Sequence, residues 1–81
     1  MTEKTYLTSQ KDILRKARKK AGLSQAEVAD IAEITIRQYQ SFELGERSLV
    51  SASLKIAYSI CEVLDISPSL LISLDKENAK G

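Results

Sequence analysis

Two helix starts only eleven residues apart constrain this chain more than anything else in it. Ser24-Gln25-Ala26-Glu27 and Thr35-Ile36-Arg37-Gln38 each set a hydroxyl residue three positions before Glu or Gln. In such a capping box the hydroxyl accepts from a first-turn amide while the longer side chain reaches back to the cap. Leu23 with Val28, and Ile34 with Tyr39, stand where a hydrophobic staple pins the entering chain. The spacing leaves room for about two turns of helix before the chain must bend. The stretch from Leu23 to Arg47 therefore reads as two short helices joined by a tight turn.

The flanking segments follow the same period. Residues 1–8 read as a loose arm, with Tyr6 and Leu7 able to pack back onto the body. Thr8 or Ser9 can cap a helix running to about Ala21, where Gly22 supplies a left-handed stop. Ile13, Leu14, Ala17 and Ala21 recur at helical spacing and are expected to face inward. That leaves Lys11, Arg15, Lys16, Lys19 and Lys20 outward, with Arg18 at the edge of the inward stripe. In the second helix Val28, Ala29, Ile31 and Ala32 form the expected inner face, the small Ala29 allowing a close corner. The third helix is expected to bury Tyr39, Phe42 and part of Gln38 and to end at Gly45. Its opposite face carries Ile36, Arg37, Gln40, Ser41 and Leu44.

After a loop at 45–50, a fourth helix is expected from about Ser51 to Leu64. It is apolar on more than one side, so it is either central to the core or also meets a partner. Ser67-Pro68 is a cap followed by proline at a first helical position, opening a fifth helix over 68–74 with Ile66 stapling to Leu71. Residues 75–81 read as a polar tail. The reading is one compact all-α domain over residues 9–74, five helices with no strand signal.

Composition narrows the chemistry. Eighty-one residues suffice for one small domain with a thin core. With 12 basic against 11 acidic residues the net charge of +1 does not by itself mark a polyanionic partner. Its distribution says more: six of the ten residues from Lys11 to Lys20 are basic, either a solvated helix face or a patch for phosphates. The chain has no His, which removes imidazole metal sites and His-based proton transfer. Cys61 is the single cysteine and reads as a small core residue, and a lone thiol fits a reduced, cytoplasmic compartment. Asp30 and Glu33 fall at solvent-facing helix positions. No catalytic constellation, cofactor loop, apolar run near 18 residues or signal peptide is evident, so neither an enzyme nor a membrane span is expected.

Residues 13–74 resemble the Cro and phage-repressor family of helix-turn-helix DNA-binding domains, the xenobiotic-response-element type found in prokaryotes and phages. The resemblance rests on L-R-K-A-R-K-K-A-G-L-S-Q-A-E-V-A, on the two capped helices, on F-E-L-G-E-R closing the third helix, and on L-D-I-S-P-S-L-L-I. It implies a five-helix, lambda-repressor-like fold whose third helix lies in the major groove. By the same resemblance Gln25 grips a phosphate and braces that helix, while Thr35, Ile36, Arg37 and Ser41 reach phosphate or base edges. Arg18 and Glu43 match a buried ion pair tying the first helix to the end of the third. The amides around Gly45 to Ser48 match a loop against the sugar-phosphate chain, and Pro68 and Leu70 match a homodimer contact.

The residues themselves support these roles. Arg37 can donate two parallel bonds to guanine O6 and N7. Ile36 reads either as a thymine-methyl contact or as ordinary surface apolarity. Gln40 and Ser41 can reach bases or phosphates, and Lys16 and Arg47 are candidate phosphate contacts. Leu70 either completes the core or meets a second copy.

Two departures from the family pattern bear on geometry. Glu33 stands where the turn usually holds glycine, so it either carries left-handed backbone or the turn is rearranged. Glu46 puts a negative charge in the loop expected to meet phosphate. The expected function is a sequence-specific, double-stranded-DNA-binding transcriptional regulator, a repressor acting as a homodimer. The alternative is a protein-interaction module, an antitoxin or mobile-element accessory subunit that uses the same fold to hold a protein partner. No second domain to sense an inducer is evident.

Overall fold

The computed structural model of the protein describes residues 9–73. The expected arm at 1–8, including Tyr6 and Leu7, and the tail from Leu74 onward lie outside the described residues.

Four helices run Gln10–Ala21 (α1), Gln25–Ile31 (α2), Ile36–Glu43 (α3) and Leu54–Leu64 (α4), with a short 3-10 turn at Leu49–Ser51. A fifth, α5, occupies residues 68–73 of the described part. Each start is dictated locally. Ser9 caps α1, and the two capping boxes form as read: Ser24 and Thr35 accept from the amides of Glu27 and Gln38, whose side chains accept from the cap amides. The fourth helix starts later than expected, at Leu54 rather than near Ser51. Leu49–Ser51 closes a separate 3-10 turn, Ala52 is extended, and Ser53 then caps α4 through Ile56 N.

The ends are equally local. At Gly22, Glu33, Gly45 and Asp65 the chain turns left-handed, with φ of 74°, 61°, 79° and 56°. Each time the following amide folds back onto a carbonyl five residues earlier: Leu23 to Arg18, Ile34 to Ala29, Glu46 to Ser41 and Ile66 to Cys61. This 6→1 bond is the helix-ending motif that glycine makes cheap. Glu33 therefore bears the left-handed conformation instead of rearranging the turn.

The core joins Leu14 of α1, Val28, Ala29 and Ala32 around α2, Tyr39 and Phe42 of α3, Leu49, and Ile60, Cys61 and Leu64 of α4. Ile66 and Leu71 close it from the α5 side. Ile31, expected inside, is 53% exposed. In so short a helix the buried stripe runs through Val28, Ala29 and Ala32, and Ile31 points about 100° away from it. Ala21 is exposed as well, at the last position of α1. Leu70 is exposed and does not complete the core. Cys61 is buried, which pushes its thiol pKa up and keeps it a packing residue. Among the described residues no helix is long and apolar enough to cross a membrane.

Candidate nucleic-acid interface

The third helix has two faces with opposite fates. Tyr39, Phe42 and Glu43 are buried against α1 and α2, while Ile36, Arg37 and Leu44 remain open. Ile36 is 45% exposed, and Thr35 stands exposed beside it at the cap. Gln40 and Ser41 are half-buried instead of sharing the open face fully. Ser41 Oγ donates back to the Gln38 carbonyl at 2.7 Å, and Gln40 Nε2 donates to Gln25 Oε1 at 3.1 Å.

Beneath the helix lies a polar network centred on the Glu43 carboxylate. Arg18 donates through Nε to Oε2 (2.5 Å) and through Nη2 to Oε1 (3.2 Å), in the parallel fork that a guanidinium matches to a carboxylate. Tyr39 Oη donates to Oε2 at 2.7 Å, and Gln25 Nε2 to Oε1 at 2.9 Å. Each carboxylate oxygen thus accepts two bonds. The Arg18 and Glu43 side chains are only 14% and 5% exposed, so the pair is buried, as the resemblance implied.

Burial alone raises a carboxyl pKa, but the bonds from Arg18, Tyr39 and Gln25 outweigh it and hold Glu43 below the ordinary range. The same contacts raise Arg18: its hydrogen bond to Glu43 favours the charged form by more than burial opposes it. Burial, then the bond to Glu43, pushes the Tyr39 phenol well above its usual value. Arg18 Nη1 also donates to the Leu23 carbonyl at 3.1 Å, reaching the entry to α2. One carboxylate at the end of α3 therefore ties together α1, the start of α2 and α3.

Gln25 takes part as a brace. Its amide N–H₂ serves Glu43 and its oxygen serves Gln40, so the first residue of α2 links both ends of the third helix's inner side. The sequence reading missed the Tyr39 hydroxyl and the engagement of Gln40. A Tyr at i and Glu at i+4 share a helix face, which is the signal that was present for the first. The second crosses between helices and had no local signature.

The loop after α3 differs from expectation in what it offers. Of the amides from Gly45 to Ser48, those of Gly45, Glu46 and Arg47 bond to the Phe42, Ser41 and Ser41 carbonyls. That leaves the Ser48 amide without a partner among the described residues. The loop's outward groups are the exposed side chains of Glu46 and Arg47. Lys11 reaches this corner too, its Cδ 3.5 Å from where a Cβ on Gly45 would sit. Lys16 is exposed on α1, as are Lys11, Arg15, Lys19 and Lys20, and Arg15 pairs with Asp12 at 3.0 Å. Pro68 and Leu70 are both exposed on α5. Beside them Leu54, Tyr58 and Ile72 line an apolar cleft of about 300 Å³ between α4 and α5.

A family model described as helix-turn-helix matches residues 14–71, from the middle of α1 into α5. Comparison with curated proteins and with solved structures finds no match. The matched span covers both capping boxes, the brace, the recognition-helix face and the loop. The chain belongs to the Cro/C1-type helix-turn-helix family of DNA-binding regulators.

Proposed function

We propose that the protein is a sequence-specific transcriptional regulator that reads the major groove of double-stranded DNA with α3 and binds as a homodimer. It acts as a repressor by occupying its site, the mode that asks for nothing beyond the interface itself. The observation that carries this reading is the division of α3. Every residue that braces the helix is covered, and the first-turn residues Ile36 and Arg37 are left open at the positive end of its dipole. In this arrangement Arg37 donates to a guanine edge, Ile36 meets a thymine methyl, and Thr35 and Ser41 contact the flanking backbone. Gln25 grips a phosphate from the start of α2, while Gln40 sets its orientation. Lys16 and Arg47 supply charge along the phosphates.

Pro68 and Leu70 form the contact between two copies, whose recognition helices then read half-sites about 34 Å apart. Selection of bound duplexes from a random pool tests this directly. The expected result is a palindrome, with affinity falling steeply as salt rises, since about six phosphate contacts per half give a log–log slope near −5. Failure to enrich any sequence at low salt would overturn the reading.

One observation favours a second role, the protein-interaction module. Leu54 is 84% exposed and Tyr58 58%, an apolar surface beside the cleft that α3 does not use. Under that reading DNA binding is weak and indifferent to salt, and the same selection distinguishes the two.

A further inference from the structure

Gln10 stands at the first position of α1, yet its side chain is committed to a distant part of the chain. Nε2 donates to the Phe42 carbonyl at 3.1 Å and to the Arg47 carbonyl at 3.0 Å, and Oε1 accepts from the Leu49 amide at 2.7 Å. A glutamine amide has two hydrogens and one carbonyl oxygen, so both hydrogens and the oxygen are engaged. All three partners are main-chain atoms, 32, 37 and 39 residues away. Such a side chain specifies the path of a backbone and is indifferent to the residues on it.

The path it specifies is the loop between α3 and the 3-10 turn. Phe42 lies in the last turn of α3, where carbonyls lack partners within the helix. Leu49 opens the 3-10 turn, and its side chain is fully buried. Between them, the Glu46 and Arg47 amides both fold onto the Ser41 carbonyl. The backbone of Arg47 is therefore gripped on both sides, its N–H by Ser41 and its C=O by Gln10, while its side chain stays exposed.

We infer that Gln10 is a positioning residue of the DNA interface: it holds the loop so that Arg47 meets a backbone phosphate, without itself touching the nucleic acid. The inference rests on the DNA-binding reading above and adds to it a role for the first turn of α1. Physically, the three bonds fix the backbone before binding, so ordering the loop is not charged to the encounter with DNA.

The test uses the full chain and the duplex enriched by selection, followed by fluorescence anisotropy across a salt series. Gln10→Ala and the near-isosteric Gln10→Met both remove the three bonds. Each is expected to weaken binding by about 3- to 10-fold and to reduce the salt slope by about one, the value of one lost phosphate contact. In an Arg47→Ala background the same substitutions are expected to change affinity by less than about 2-fold, because the contact they position is already gone. In the free protein, the Leu49 amide is expected to exchange with solvent faster.

If the wild type binds and the Gln10 losses multiply fully with that of Arg47→Ala, or leave the salt slope unchanged, the inference fails and the DNA reading stands. Loss of folding in both Gln10 variants would equally overturn it, assigning Gln10 to the fold alone. A wild type that binds no DNA removes the DNA reading and this inference with it.

Discussion

The corner formed by α1, α2 and α3 and the face formed by α4 and α5 solve opposite problems in the same small domain. The corner buries a charged network and exposes polar groups around Arg37. The other end leaves apolar side chains outside, with Leu54, Tyr58, Leu70 and Ile72 all exposed. Buried polar groups need several partners in fixed geometry, so the corner has one arrangement that satisfies Glu43. Apolar packing is tolerant, so the α4–α5 face can accept a partner without a unique geometry of its own. The difference teaches that the reading helix is held by specificity of hydrogen bonding, and that association belongs to the softer end.

The largest test removes the centre of the network. Glu43→Ala leaves Arg18 buried without its acceptor and is expected to destabilise the fold by about 3–5 kcal/mol, measured by urea denaturation. A loss below about half a kcal/mol would mean the corner is no more specifically held than the α4–α5 face. The same carboxylate fixes the sign of the acid response. Its folded pKa lies below the ordinary value, so its contribution is complete above about pH 4.5. That contribution fades as the pH falls through the depressed folded value. Glu43→Gln is expected to flatten this acid limb.

Next in size comes the open face. Arg37→Ala is expected to cost about 1–3 kcal/mol at one base position and to relax specificity there. Lys16→Ala, an exposed charge on α1, is expected to weaken all sequences alike. Anisotropy on single-base variants of the selected site separates the two. Uniform losses from both would remove Arg37 from the base-reading role.

How much of this was legible in the chain follows from how local each feature is. The capping boxes at Ser24 and Thr35 and the stops at Gly22 and Gly45 involve neighbours within six residues, and all formed where read. The Arg18–Glu43 pair spans 25 residues and was reached through resemblance rather than spacing. Gln10 spans more still and aims at main-chain atoms, which no side-chain pattern encodes. Ile31 misled because hydrophobicity marks what can be buried, and a seven-residue helix has a narrow stripe to bury. The late start of α4 was hidden because Ser51 and Ser53 are equally good caps by residue type. Only the 3-10 turn decides between them.

A smaller effect probes the one strained point in the corner. Glu33 holds φ at 61°, and its contact with Lys55, 3.8 Å between two largely exposed side chains, does little to offset that. Left-handed backbone costs a residue with a Cβ about 1–2 kcal/mol, and glycine returns part of this in chain entropy. Glu33→Gly is thus expected to stabilise the protein by about 0.5–1 kcal/mol in thermal or urea unfolding. A destabilisation would show that Glu33 makes the turn in a way glycine cannot.

The smallest expected effect on folding lies at the soft end, and that smallness is its use. Leu70 and Leu71 are neighbours on α5, but Leu71 is 4% exposed and Leu70 46%. Leu71→Ala opens the core and falls in the range of about 2–5 kcal/mol found for buried leucines. Leu70→Ala at low protein concentration is expected to change unfolding by no more than about half a kcal/mol. If Leu70 joins two copies, the same substitution shifts sedimentation from dimer toward monomer and lowers affinity for the full palindrome more than for a single half-site. A dimer that survives Leu70→Ala unchanged would locate the pairing surface elsewhere. An equally large folding loss at both leucines would mean that the α5 face is closed onto the core, and the contrast between the two ends would disappear.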